Sequence, residues 1–336
     1  MPAKNDPAEL IKRVRRGDHA AASRALSLVV DEDASGEAMA KEFFKASGAA
    51  QKIGVCGPPG AGKSTLTGRL ISHYRARKEK VGVLMVDPSS SISGGAFLGD
   101  RLRIMEHATD PGVFIRSLGS RGMIGGLTHS IFGAIHVLET LGCARIMIET
   151  VGTGQDEVDI ASVADTVLYV TTPSMGDEIQ AMKAGAMEVA DVFVVNKSDL
   201  AGGDKAVADL KAALSLGMPG AQAARYAGHH GAAAVRAAAA AAVEAPAWDP
   251  PVVPTAAVTG KGVEELARRV EEHGAHLRES GEGRARLKHQ HATELRFWLQ
   301  RRVLQTALGR VTDKNLEELL AHKTDPSSLG RKLLKA

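Results

Sequence analysis

The sequence predicts an α/β fold with a mostly parallel sheet that is covered by helices on both faces. Between residue 51 and about residue 262, short apolar runs rich in β-branched residues alternate with helix-like segments. Parallel strands joined by helices are buried on both faces, so their sequences are apolar almost throughout. A glycine-rich segment also separates the first apolar run from a helix-like run, as in a strand–loop–helix unit. The predicted strands are residues 53–56, 81–86, 113–115, 145–148, 166–170, 192–195 and 252–254.

Segments of helical character flank the α/β region. Residues 1–50 alternate charged and apolar positions at helical spacing, which predicts a helical N-terminal extension. After about residue 263 no strand-like run occurs, and long amphipathic stretches such as Leu287 to Leu308 predict helices. We therefore expect three regions: the extension at 1–50, the α/β domain at 51–273, and a C-terminal helical region at 274–336.

Composition limits the class of protein. The chain has 336 residues, of which 44% are hydrophobic, so a sizeable core can be buried. A formal net charge of +3 is too small to indicate nucleic-acid binding, and the basic residues near the C-terminus, including Arg286, are interleaved with acidic ones as on a solvated helix face. Cys56 and Cys143 fall in or beside predicted strands and indicate core residues in a reducing compartment. No signal-peptide pattern or membrane-spanning apolar run occurs, which predicts a cytoplasmic protein with no membrane partner.

The glycine-rich segment has the G-x-x-x-x-G-K-S pattern of a phosphate-binding loop. Its glycines allow backbone N–H groups to surround phosphate oxygens, and the following helix adds the positive end of its dipole. Lys63 would supply a charge near the β and γ phosphates, and the Ser64 hydroxyl would hold Mg²⁺. A chance glycine-rich turn is a poor explanation, because both the strand and the helix are present. The loop comprises Gly57, Pro58, Pro59, Gly60, Ala61, Gly62, Lys63, Ser64 and Thr65.

A second motif indicates which nucleotide is bound. The apolar run 192–195 leads into Asn196, Lys197 and Asp199, which form the N-K-x-D pattern of GTP-binding domains. A buried Asp carboxylate can accept both the ring N–H and the amino group of guanine, whereas adenine would leave it unsatisfied. After a strand and downstream of a phosphate loop, this pattern predicts a P-loop GTPase domain that prefers GTP over ATP.

Three carboxylates are expected at the carboxyl edge of the sheet. Asp87 and Glu149 each end a predicted strand, and Asp100 lies in a glycine-rich loop after Asp87. Any one of them could be a strand-end cap. Three together would repel one another without a cation, and Mg²⁺ could bind one or two directly and the others through water.

The segment that begins at Glu149 matches the D-x-x-G switch of GTPases with Glu in place of Asp. Gly152 would donate its N–H to the γ-phosphate and lose that partner on hydrolysis. The glutamine that positions water directly after this glycine in Ras-like enzymes is absent, because Thr153 stands there and Gln155 follows two residues later. We expect that the protein alone hydrolyses GTP slowly and that a partner is needed for faster hydrolysis.

The chain has four further motifs beside the phosphate loop and the N-K-x-D pattern. With them it resembles the MeaB/ArgK family of GTPases, which includes the human MMAA protein. The motifs are 86–90 with Gly94 and Gly95, 121–127, 149–155 and 175–185, in family order over about residues 50 to 275. The resemblance implies a GTPase chaperone of an adenosylcobalamin-dependent acyl-CoA mutase, above all methylmalonyl-CoA mutase. The chaperone gates cofactor loading and protects or reactivates the mutase, so adenosylcobalamin is involved only through the partner. It also implies a homodimer held partly by C-terminal helices.

The resemblance also assigns roles to individual residues. Ser64 and Asp100 would be Mg²⁺ ligands, and Asp87 and Glu149 would surround the ion. The turn Ala256–Ala257–Val258 replaces the usual S-A-x turn, so a backbone N–H to the guanine carbonyl is retained and a hydroxyl contact is lost. A further polar cluster resembles the family's switch towards its mutase, and the alternative is the first turn of a surface helix. Its residues are Asp177, Glu178, Gln180 and Lys183.

Two other functions remain open at this stage. A nickel- or cobalt-inserting GTPase would commonly carry Cys- or His-rich stretches, but the chain has two cysteines and no C-x-x-C pair. A P-loop kinase for a small molecule would need an acceptor pocket and a lid, and the N-K-x-D pattern counts against it.

Overall fold

The computed structural model describes residues 6–31, 34–48, 50–87, 104–119, 130–150, 160–175, 189–217 and 248–335. The chain divides into two compact units, one within residues 1–289 and the other within 290–336.

The first unit is built on a seven-stranded sheet whose paired strands all run parallel. The order of the strands across the sheet is β3-β2-β4-β1-β5-β6-β7. The strands are β1 (Gln51–Cys56), β2 (Val81–Asp87), β3 (Val113–Gly119), β4 (Arg145–Thr150), β5 (Thr166–Thr171), β6 (Val192–Val195) and β7 (Val252–Pro254). The predicted parallel α/β sheet is therefore confirmed.

Helices cover both faces of this sheet. On one face, α4 (Lys63–Ala76) contacts β1, β2 and β4, and α7 (Val263–Glu279) contacts β5 and β6, and the two helices share one apolar cluster with the sheet. On the opposite face, α5 (Ser130–Thr140) approaches β2 so closely that a Cβ on Gly82 would lie 2.7 Å from Leu138. Helix α6 (Gly203–Gly217) follows β6. Apolar residues on both faces of each strand are what this two-sided burial requires.

The N-terminal segment contains three helices, α1 (Pro7–Arg15), α2 (His19–Asp31) and α3 (Ala34–Ala46). Their buried side chains, which include Leu26 and Phe43, pack towards α5. A Cβ on Gly133 of α5 would lie 2.1 Å from Val29 of α2, so glycine permits this close approach.

Helix α8 (Glu282–Leu308) begins in the first unit and continues into the second, which also contains α9 (Asp313–Leu320) and α10 (Pro326–Lys335). Thr312 caps α9 in a reciprocal capping box with Asn315. Many large apolar side chains of this unit are exposed: Leu295, Trp298, Leu299, Val303, Leu304, Leu308, Leu316, Leu320 and Leu334. Among the helices that the structure describes, none is long and apolar enough to cross a membrane.

Candidate nucleotide-binding site

The order of the strands brings the predicted site residues to one edge of the sheet. Strand β1, which leads into the phosphate loop, lies between β4 and β5, and β2 is the neighbour of β4. Val55 pairs with Glu149, and Met85 pairs with Glu149 on the other side. Because the strands are parallel, the carboxyl ends of β1, β2 and β4 meet there, and β6 ends on the other side of β5.

The phosphate loop takes a conformation that only glycine allows at two positions. Gly57 has φ +129°, and a Cβ on it would lie 2.1 Å from the carbonyl oxygen of Val170. Gly62 has φ +89°, and a Cβ there would lie 2.4 Å from Nδ2 of Asn196. Gly62 also caps α4, so the first free N–H groups of this helix face the loop. Positive helix ends with free N–H groups are favourable places for phosphates.

Lys63, the first residue of α4, folds back over the loop. Its Nζ donates to the carbonyl oxygens of Gly57, at 2.8 Å, and Pro58, at 3.0 Å. The side chain is buried. The loop backbone therefore holds the ammonium group against its own carbonyl oxygens, within the predicted phosphate loop.

Ser64 and Glu149 bring two oxygen ligands together beside the loop. The Ser64 hydroxyl hydrogen-bonds to Oε1 of Glu149, which is buried at the end of β4. A hydroxyl and a carboxylate are hard oxygen donors, the kind that Mg²⁺ prefers. The pair therefore fits a magnesium ion next to the phosphates. Asp87 ends β2 at the same edge, but its side chain, like all of Asp100, lies outside the described residues.

Asn196 connects three parts of the site. Its Nδ2 donates to the carbonyl oxygen of Ala61 in the phosphate loop at 2.8 Å. Its Oδ1 accepts from the Thr255 hydroxyl at 3.2 Å and from the N–H of Ala257 at 3.1 Å. Asn196 is buried, so these bonds are shielded from water. One amide thus fixes the phosphate loop, the N-K-x-D loop and the turn after β7 relative to one another.

The remaining N-K-x-D residues lie at the surface of the same loop. Lys197 has φ +56°, and its Nζ donates to the carbonyl oxygen of Gly60 at 2.9 Å. This bond lays the lysine stem across the space between the two loops. Asp199 is exposed, so the prediction of a buried carboxylate at this position was wrong. Desolvation of its carboxylate would therefore have to come from the base itself.

Two residues of this site carry no sequence motif that we recognised. Thr255 directly precedes the turn 256–258 and bonds to Asn196. Arg69 lies on α4, six positions after Lys63, and donates to the carbonyl oxygens of Ala257 and Val258. Only the position of Thr255 beside the predicted turn could have indicated its role, and nothing in the sequence singles out Arg69.

Several predicted residues lie outside the described part of the chain. They are Asp100, Gly152, Asp177, Glu178, Gln180 and Lys183, together with the motif 121–127.

A parallel α/β sheet with this phosphate loop and an N-K-x-D loop joined to it defines a P-loop GTPase. The chain belongs to the MeaB family: the family model described as methylmalonyl-CoA mutase-associated GTPase MeaB matches residues 22–312. The resemblance seen in the sequence is thereby confirmed.

Individual relatives agree with this assignment. A Pyrococcus horikoshii protein described as a GTPase is 44% identical over 273 residues, which cover 81% of this chain and 79% of the relative. The mouse protein described as methylmalonic aciduria type A homolog, mitochondrial, is 33% identical over 76% of this chain and 56% of its own. A crystal structure described as LAO/AO transport system kinase has a TM-score of 0.69 at 23% identity and covers 100% of this chain and 98% of its own, which supports the fold.

Proposed function

We propose that this GTPase is a chaperone of an adenosylcobalamin-dependent acyl-CoA mutase, most simply methylmalonyl-CoA mutase. It would gate cofactor loading and protect or reactivate the mutase in a GTP-dependent manner. The observation that carries the proposal is the family match, because that family is described by its association with methylmalonyl-CoA mutase. The description of the mouse relative names methylmalonic aciduria, which supports a role connected with methylmalonyl metabolism.

The site residues have distinct roles in this proposal. The loop N–H groups and the start of α4 would bind the phosphates, and the Lys63 ammonium would offset the charge that develops on the transferred phosphoryl group. Ser64 and Asp100 would bind Mg²⁺ directly, and Asp87 and Glu149 would surround the ion, with Glu149 already in hydrogen-bond contact with Ser64. When bound, Mg²⁺ supplies charge neutralisation on the β and γ phosphates.

Separate loops would recognise the base and transmit the nucleotide state to the partner. Asn196, Lys197 and Asp199 would read guanine with the turn 256–258, and Asn196 already connects that turn to the phosphate loop. Gly152 would respond to the γ-phosphate. The segment 177–183 would pass this response to the mutase.

A GTPase assay with and without the candidate mutase and its adenosylcobalamin tests the proposal. We expect the purified protein to hydrolyse GTP slowly and the loaded mutase to accelerate it. Lys183→Ala should lose the acceleration and retain intrinsic turnover, whereas Lys205→Ala, an exposed lysine on α6, should behave as wild type. Absence of stimulation by any acyl-CoA mutase would contradict the proposed chaperone function, and only the GTPase activity would remain.

We also propose that the protein is a homodimer that uses its C-terminal helices. On the part of α8 in the second unit, Leu295, Trp298, Leu299 and Val303 are 46–57% exposed. At 3.6 residues per turn these four side chains fall on one stripe of the helix. Contiguous exposed apolar surface of this kind marks protein–protein contacts more often than free surface. A second copy would bury the same stripe on both partners.

A further inference from the structure

Arg69 links the phosphate-binding helix to the turn expected to contact the base. Its Nε donates to the carbonyl oxygen of Ala257 at 2.9 Å, and its Nη2 donates to that of Val258 at 2.6 Å. A guanidinium is planar and presents its donors in a fixed fork, so it holds two successive carbonyls in one orientation. The same helix α4 thus begins at the phosphate loop and holds the turn 256–258 about 1.7 helical turns later.

These two bonds fix which way the turn presents its N–H groups. A trans peptide is planar, so its N–H points opposite to its C=O. With the Ala257 carbonyl directed to Arg69, the N–H of Val258 is directed to the other side of the turn. The N–H of Ala257 is already given to Oδ1 of Asn196, and that of Thr259 to the carbonyl of Ala256. Within the part of the chain that the structure describes, no acceptor is bonded to the N–H of Val258.

We propose that Arg69 is a positioning residue for base recognition, which directs the N–H of Val258 towards the 6-carbonyl of a bound guanine. This inference rests on the GTP binding proposed above. Ala256 itself carries no hydroxyl, and the Thr259 hydroxyl donates to the Ala256 carbonyl oxygen within the turn. The Arg69 fork, on one side, and Asn196, on the other, add to the rigidity of the turn. Arg69 itself would not contact the nucleotide.

The test is calorimetric binding of GDP and of 6-thio-GDP, whose sulfur is a weaker acceptor at position 6. Wild type should prefer GDP. Arg69→Ala should lose about three- to tenfold in GDP affinity, the range that one neutral hydrogen bond supplies. It should lose less affinity for 6-thio-GDP, so that the ratio of the two affinities falls. Arg69→Lys retains a donor, so it should restore part of the preference for GDP over 6-thio-GDP.

The matched control is Arg77→Ala, which removes an exposed arginine just after the same helix. Arg77 pairs with Glu271 and not with the turn, so both affinities should stay at wild-type values. Equal losses for both nucleotides in Arg69→Ala, with a native circular dichroism spectrum, would show a general structural role and overturn the inference. An unchanged GDP affinity would overturn it as well. Wild-type protein that bound neither nucleotide would overturn the proposed function and the inference together.

Discussion

The carboxylate of Asp191 receives two hydrogen bonds from the guanidinium of Arg286, at 2.8 and 3.0 Å. Asp191 is fully buried just before β6, and Arg286 is 6% exposed near the start of α8. The N–H of Val167 also donates to this carboxylate, and Nε2 of His273 lies 3.4 Å from it. The pair therefore joins the amino end of the N-K-x-D strand to the beginning of the C-terminal helices, at the edge of the sheet opposite the nucleotide site.

Removal of one partner from this pair should destabilise the first unit strongly. Arg286→Met leaves a charged carboxylate in the interior, which typically costs about 3–5 kcal/mol. Urea unfolding followed by circular dichroism measures the change in free energy. The control is Arg13→Ala, which breaks an exposed pair with Asp18 and should cost less than about 1 kcal/mol. A similar small change in both variants would show that the buried pair contributes no more than a surface pair.

Lys63→Ala should abolish GTP hydrolysis and leave the fold intact. The ammonium rests on the carbonyls of Gly57 and Pro58, but the loop is shaped by its glycines, so its backbone forms without the charge. Loss of one preorganised charge at a phosphoryl-transfer site should lower the rate constant by about a hundredfold or more. Single-turnover hydrolysis, with circular dichroism as the check of folding, measures this. A variant that kept both its spectrum and its rate would remove Lys63 from the mechanism.

Asp199→Asn should change the preferred base from guanine to xanthine. The carboxylate accepts two donors of guanine, whereas the amide presents one donor and one acceptor, which suits the second carbonyl of xanthine. We expect the preference to move by about 2 kcal/mol or more, because each mismatch leaves a polar group unpaired. Competition binding with GDP and XDP measures the shift. Tight GDP binding by the variant would show that Asp199 does not read the base.

Charge on the apolar stripe of α8 should dissociate the dimer. Trp298→Glu places a carboxylate in the proposed contact, where its desolvation is unfavourable. Light scattering after size exclusion should give twice the 35.2 kDa chain mass for wild type and the single chain mass for the variant. Gln300→Glu adds the same charge two residues later, at an exposed polar position away from the stripe, and should remain dimeric. A monomeric wild type would contradict the proposed homodimer.

The two thiols should be unreactive in the folded protein. Burial raises the pKa of the Cys143 thiol from 9.0 to about 12, and Cys56 is also buried. Titration with Ellman's reagent at pH 8 should detect no thiol in the native state and two after denaturation. Since the folded pKa is raised, the stability linked to Cys143 is fully present below pH 9 and is lost as the pH rises towards the folded pKa of about 12. Rapid labelling of the native protein would show that these positions open to solvent.

Sequence patterns predicted the elements better than their arrangement. The apolar runs identified all seven strands of the sheet, but β3 was predicted to end at residue 115 and extends to Gly119. Arg116 and Ser117 interrupt its apolar pattern, and yet both remain in register with β2. The strand order could not be predicted, because it depends on pairings between distant segments. The interpretation of Arg286 as part of a solvated helix face was wrong, because its partner Asp191 is remote in the sequence.

Within the site, the residues that belong to motifs of fixed spacing were predicted. The residues that only position the loops by hydrogen bonds were not. Lys63, Ser64 and Asn196 occupy adjacent parts of one edge, as their spacing from strand ends suggested. Arg69 and Thr255 are identified as site residues only by their hydrogen bonds in the fold. Their bonds involve backbone carbonyls and an amide oxygen, and such partners leave no signature in the residue types.

The central place of β1 in the sheet has a consequence for how the chain is made. Gln51 pairs with Arg145 on one side and Ile53 with Thr166 on the other, so both neighbours of the first strand are synthesised long after it. Pairings between such distant segments slow folding, because the entropy of closing the long intervening loop must be overcome before the contacts form. The phosphate loop therefore cannot reach its final shape while the ribosome has released only the first half of the domain. During that interval β1 lacks its partner strands, and chaperones can bind its apolar residues.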